Sequence, residues 1–83
     1  MSIWMEKEDR MVCDLRFEDF RTAFAFMTQV ALAAEGMDHH PTWTNTWNRV
    51  EIVLTTHSAG NTVTEKDRKL AALIEQFYLK MKP

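Results

Sequence analysis

In the stretch "MVCDLRF", Met11, Cys13, Leu15 and Phe17 alternate with Val12, Asp14 and Arg16, the period of two expected of a strand with one buried face. Trp4 and its neighbours predict a shorter partner strand, turned at "KEDR". From Glu18 the period changes. Phe20, Ala23, Phe24, Met27, Val30, Ala31 and Ala34 recur at spacings of three and four, which predicts one apolar stripe on a helix ended by Gly36. Phe26 stands off that stripe, where a partner helix could meet it. In "NRVEIVLTT", Val50, Ile52 and Leu54 face one way and Glu51, Val53 and Thr55 the other, so a second strand is expected, with "TWTNTW" as its hairpin mate. Leu70, Leu73, Ile74, Phe77 and Met81 mark a C-terminal helix, opened by Thr64 with Asp67 three residues later as a capping box.

The order β-β-α-β-β-α is that of an α+β two-layer sandwich: two hairpins form one four-stranded antiparallel sheet, and both helices cover its apolar face. No repeat, low-complexity tract or flexible linker divides the chain, so residues 1–83 read as a single domain. At 83 residues such a fold buries only about 60% of the surface its unfolded chain exposes. With 46% hydrophobic and 27% charged residues the chain resembles ordinary globular proteins rather than disordered ones.

The formal net charge of -2 supplies no basic field, which argues against direct nucleic-acid binding. The lone Cys13 cannot form an internal disulfide, and "MSIWMEKEDR" holds neither a signal-type apolar core nor a membrane-spanning segment. A reducing, cytoplasmic location without membrane association is expected.

The candidate chemistry is concentrated in "EGMDHHPTW" and at the end of the second strong strand. His39 and His40 follow the first helix, and His57 follows the strand at the mouth of "THSAGNTVT". These are element ends, where scaffolds carry function. Glu35, Asp38 and the negative end of the helix favour the charged form of a nearby imidazole, so the set suits proton transfer near neutral pH. Three plainer readings stand beside this one. Paired loop histidines are often only polar and solvated, the position of Asp67 is where a capping carboxylate belongs, and Trp43 and Trp47 could be cross-strand packing rather than walls for a flat ligand. A zinc site from His39, His40 and His57 is disfavoured, because neighbouring side chains diverge and neither HExxH nor a cysteine cluster is present.

The stretch "EGMDHHPTWTNTWNRVEIVLTTHSAGNTVTEKDRKLAALIEQF" closely resembles the signature region of the pterin-4a-carbinolamine dehydratases. The matching elements are Glu35, His39-His40-Pro41, Trp43, Thr56-His57 and Asp67, and upstream "W…M…LRFEDFRTAFAFMTQVALAAE" looks like the family's first hairpin and long helix, so that the resemblance runs from Trp4 to about Phe77. Family members commonly carry a further helix ahead of the Trp4 position, and a domain without it is expected here. The loop between His57 and Asp67 looks about one residue longer than in the relatives. The resemblance implies dehydration of 4a-hydroxytetrahydropterins to the quinonoid dihydropterin, in the recycling of the pterin used by aromatic amino-acid hydroxylases, with no metal or other cofactor. It implies His40 and His57 as the proton-transfer pair, with His39 positioning substrate or sharing the acid role. It also implies Glu35 and Asp38 orienting the imidazoles, Trp43 lining the pterin and Asp67 capping its helix beside the pocket. A homodimer or homotetramer is expected on the same ground. The alternative reading is a non-catalytic partner of other proteins, such as a transcriptional dimerisation cofactor or an assembly or regulatory factor. The presence of all three histidines favours the enzyme.

Overall fold

The structure, a computed structural model, describes residues 2–83. Its elements are β1 (Met5–Lys7), β2 (Arg10–Arg16), α1 (Phe20–Met37), β3 (Thr42–Thr46), β4 (Arg49–Leu54), a short 3-10 turn (His57–Ala59) and α2 (Glu65–Met81). The strands form one antiparallel sheet in the order β1-β2-β4-β3, and the two helices lie against one face, as the alternation and helical stripes predict.

The sheet is built around β2 and β4, whose register pairs Cys13 with Ile52 and Leu15 with Val50. Directly opposed residues share a face, so Met11, Cys13, Leu15, Val50, Ile52 and Leu54 form one buried apolar surface. Both hairpins close with two-residue turns. Lys7 pairs with Arg10 across Glu8 and Asp9, which both have positive φ, 52° and 61°, as a type I′ turn requires to match the twist of its strands. Thr46 pairs with Arg49 across Trp47 and Asn48. Trp47 is thus not a cross-strand packing residue: it sits in the turn at φ 48°, largely exposed, in a left-handed conformation that costs an ordinary side chain about 1–2 kcal/mol. The Asn45 amide ties this turn down by donating to the carbonyls of Trp47 (3.1 Å) and Arg49 (2.9 Å).

Helix α1 differs from expectation in its rotation. Its buried residues are Ala23, Phe26, Val30 and Ala34, whereas Phe20 and Phe24 are 47% and 56% exposed. Ala23, Val30 and Ala34 belong to both stripes, but at 100° per residue the buried face is turned by roughly 60° from the predicted one. The cause is Phe26, whose ring fits beside Phe17 (centroids 4.8 Å apart) and edge-on to Tyr78 (6.3 Å). Placing that large ring in the core buries more apolar area than Phe24 could from its position. Phe26 is therefore a core residue and not a contact for a partner helix. Phe20 and Phe24 pair with each other on the surface at 5.9 Å.

The end of α1 also differs. Gly36 lies inside the helix, and the left-handed residue that ends it is Asp38, at φ 52°. Aspartate tolerates this region better than most residues. The Asp38 N–H donates to Glu35 O (3.1 Å) and the His39 N–H to Ala34 O (3.0 Å), which satisfies the last carbonyls and turns the chain so that His39 folds back toward the core. Helix α2 begins as predicted at the N-cap Thr64, and Leu70, Ala71 and Ile74 are buried along it. Its N-terminal half is stapled to the first hairpin by the bidentate Arg68–Glu6 pair and by the Trp4 indole, which donates to Ala71 O at 3.0 Å.

Candidate functional site

The Schellman-type end of α1, the end of β4 and the start of α2 converge at one edge of the sandwich. His39 is 9% exposed, Thr56 5% and Asp67 fully buried. The His39 Nε2 lies 2.6 Å from Asp67 Oδ1. The other carboxylate oxygen, Oδ2, accepts from the Thr56 hydroxyl at 2.6 Å and from the Thr64 backbone N–H at 2.9 Å. The last of these is the carboxylate half of a capping box, so Asp67 does cap α2. The Thr64 hydroxyl lies 2.7 Å from that of Thr56.

Burial by itself pushes the Asp67 carboxyl up, but the bonds from Thr56, His39 and Thr64 outweigh it and hold the group below the usual carboxylate range. Asp67 is therefore a buried anion with each oxygen satisfied. It fixes the ring of His39 and leaves that imidazole's other nitrogen, Nδ1, for other use.

His40 stands outside this buried group. Its Nε2 is 2.9 Å from Glu35 Oε1 across the helix end, and both side chains are well exposed, 57% and 80%. Exposed pairs of this kind orient a side chain but contribute little stability. His57 opens the 3-10 turn after Thr56 and is exposed. Its imidazole makes no hydrogen bond among the described residues. Gly60 and Asn61 both take left-handed conformations, and the Asn61 N–H returns to Thr56 O at 3.0 Å while the Thr56 N–H donates to Thr62 O at 2.9 Å. The loop is thereby pinned at Thr56, and His57 is held at its rim.

All three histidines, together with Asp38, Thr55, Thr56, Ser58 and Lys66, line one open recess of about 350 Å³. The structure thus unites residues separated by up to 28 positions (Asp38 to Lys66). Not every residue singled out in the sequence reaches it. Trp43 pairs with Ile52 in β3, faces the helix-covered side and packs half-buried against the core; it is not part of the recess lining. Glu35 does not line the recess; its carboxylate meets the His40 ring at 2.9 Å. Asp38 borders the recess, but its carboxylate bonds to no histidine among the described residues; the acid that holds His39 is Asp67. Thr56 is the residue whose part was missed: its hydroxyl joins β4 to the Asp67 carboxylate. The sequence signals were a hydroxyl residue at a strand end and the place of Thr56 beside His57 in the family motif, neither of which pointed to Asp67. Among the described residues no group of three or more His, Cys, Asp or Glu side chains is arranged to hold a metal ion, and His39 Nε2 is already committed to Asp67.

Comparison with known proteins agrees with this architecture. A protein from Rhizorhabdus wittichii, named as a candidate pterin-4-alpha-carbinolamine dehydratase, is 59% identical over 59 residues, 71% of this chain and 60% of that protein. One from Burkholderia pseudomallei with the same name is 52% identical over 68 residues, 82% of this chain and 66% of its own length. The chain thus matches somewhat under two thirds of these relatives. Among solved structures, a transcriptional coactivator/pterin dehydratase from Brucella melitensis superposes with a TM-score of 0.86 at 44% identity, over 90% of this chain and 81% of that one. A pterin dehydratase-like protein described as a RuBisCO assembly factor of the alpha-carboxysome shares the fold at 20% identity, with a TM-score of 0.75 over 93% of this chain and 89% of that one. The family model for pterin 4 alpha carbinolamine dehydratase matches residues 1–77, and with that span covering nearly every element described above, the chain belongs to this family.

Proposed function

We propose that the recess dehydrates a 4a-hydroxytetrahydropterin, with His40 and His57 as the proton-transfer pair and His39 as the residue that positions the substrate. The observation that supports this most is the meeting of three histidines at one open recess, one of them locked to a buried carboxylate. The reaction breaks the C4a–O bond as an acid protonates the departing hydroxyl, removes the N5 proton to a base, and forms the C4a=N5 double bond with release of one water. His40 and His57 are both exposed on the recess lining and free to exchange protons with solvent between turnovers. His39, its ring fixed by Asp67, offers Nδ1 as a rigid hydrogen-bonding group. The recess is near the small end of the usual range for ligand pockets, about 300–1,000 Å³, and suits a bicyclic ring.

A dehydratase assay on the purified protein with freshly prepared 4a-hydroxytetrahydropterin tests the assignment. His40→Ala and His57→Ala should each lower turnover by about 10²–10⁴-fold, the usual scale of acid/base catalysis, with unchanged circular dichroism, and activity should survive chelation. Turnover close to wild type in both variants would sink the role assignment, and loss on chelation with recovery on adding zinc would favour a metal.

A second reading, a protein-interaction factor on the same fold, is favoured by the exposed apolar residues Phe20, Phe24 and Leu32 of α1 and by the coactivator description of the Brucella melitensis relative. Inactivity in the assay together with a folded, assembled protein would turn the assignment toward it.

A further inference from the structure

The histidine recess does not end in a wall. Lys66, on the first turn of α2, borders it, and the same lysine borders a second recess of about 300 Å³ lined by Met37, Glu65, Lys66 and Lys69. Met37 and Asp38, adjacent in the chain, belong one to each recess. The two hollows therefore meet along Lys66 and the Met37–Asp38 peptide. Lys66 and Lys69 are three residues apart on a helix, hence neighbours on one face. Neither has an acidic group within ion-pair distance among the described residues, where the salt bridges engage His39, His40, Arg49 and Arg68. Glu65 and Asp38 are the acids in the two linings.

Size and charge together say what fits. The first recess suits a bicycle but leaves little room for a long substituent, so the tail of a larger ligand must cross Lys66 onto the second hollow. That hollow offers an apolar patch at Met37 and two ammonium groups against one carboxylate. Resting on the pterin reading of the histidine recess, we infer that the Met37–Lys66–Lys69 shelf is a subsite for a pterin whose tail carries an anion, carboxylate or phosphate. The ring lies among the histidines, the stem of the tail passes over the Met37 side chain, and the terminal anion meets Lys66 and Lys69. Such a shelf sets preference among pterins without touching the reacting atoms.

Calorimetric titration with three stable dihydropterins tests this: 7,8-dihydrobiopterin with a neutral tail, 7,8-dihydrofolate with a carboxylate tail, and 7,8-dihydroneopterin phosphate. At low salt at least one anionic ligand should bind about three- to tenfold tighter than the neutral one, the range expected of solvent-exposed ion pairs, and which one does so separates carboxylate from phosphate. The ratio should fall toward one at about 1 M salt and in the Lys66→Ala/Lys69→Ala variant. Equal affinities for all three ligands, or a preference that persists in the double variant, would overturn the subsite and leave the pterin reading standing. Binding of none of the three would overturn both.

Discussion

His39 Nε2 and Asp67 Oδ1, 28 residues apart in the chain, stand 2.6 Å apart in the buried base of the recess. The carboxylate is at once the cap of one helix and the anchor of a histidine from the end of the other. The cap of a helix and the orientation of a site residue thus rest on one side chain.

Replacing Asp67 should therefore cost more than an ordinary cap. Asp67→Ala leaves the His39 ring, the Thr56 hydroxyl and the Thr64 N–H without their acceptor, and losing one partner of a buried charged group typically costs about 3–5 kcal/mol. A simple capping residue is worth about 1 kcal/mol. Thr56→Val removes one hydrogen bond to the same charged group and should cost about 1.5–3 kcal/mol. Urea unfolding checks both values; an Asp67→Ala loss of 1 kcal/mol or less would mean that the cap alone matters.

The same carboxylate sets an acid limit. Because Asp67 is held below the usual carboxylate range in the folded state, the unfolded chain binds its proton more readily, and stability falls wherever that difference operates. The contribution of Asp67 is fully present above the ordinary carboxylate range, about pH 4, and is lost as pH drops through the depressed folded value. Wild-type urea midpoints should fall more steeply as pH drops below about 4 than those of Asp67→Asn. Parallel curves for the two proteins would contradict the assignment.

Cys13 should behave as an apolar core residue. Burial pushes its thiol up to about 12, and the thiolate is the reactive form. A thiol reagent at pH 8 should leave the native protein unmodified and label it at the rate of global unfolding, in step with urea concentration. Rapid labelling without denaturant would show that the β2–β4 core opens locally.

Assembly is expected from the surface. Strands β1 and β3 are the two edges of the sheet, and such edges invite pairing, while α1 exposes Phe20, Phe24 and Leu32, the last at 71%. We expect a homodimer or a dimer of dimers, with Phe24→Glu lowering the assembly state if the helix face contributes. Light scattering after size exclusion reads the mass; a stable monomer of about 9.8 kDa at micromolar concentration would refute it.

The strands were legible because one buried face imposes strict alternation on β2 and β4, and the N-terminus of α2 because a cap carries its own residue code. The rotation of α1 was not, since Phe24 and Phe26 are equally apolar and the rings that decide between them, Phe17 after β2 and Tyr78 on the distant α2, meet Phe26 only in the folded chain. The end of α1 misled for a related reason: glycine is the usual left-handed residue, but Asp38 could take that conformation and Gly36 had no need to. Trp43, for which strand packing was one of two readings, lies on the core side of its strand, as the period of two places it. The histidines were visible as residue types at element ends. Glu35, the acid beside His40, was within reach of a reading along the chain, whereas the acid of His39 was not, because Asp67 comes near it only after folding.

The base of the recess joins the ends of α1, β4 and α2, so no single loop or hairpin carries it. A chain in which only the two hairpins and α1 have packed displays His39 with no carboxylate to hold its ring, and Thr56 with no anion to meet. The hold on the His39 ring is therefore complete only once the last helix has docked.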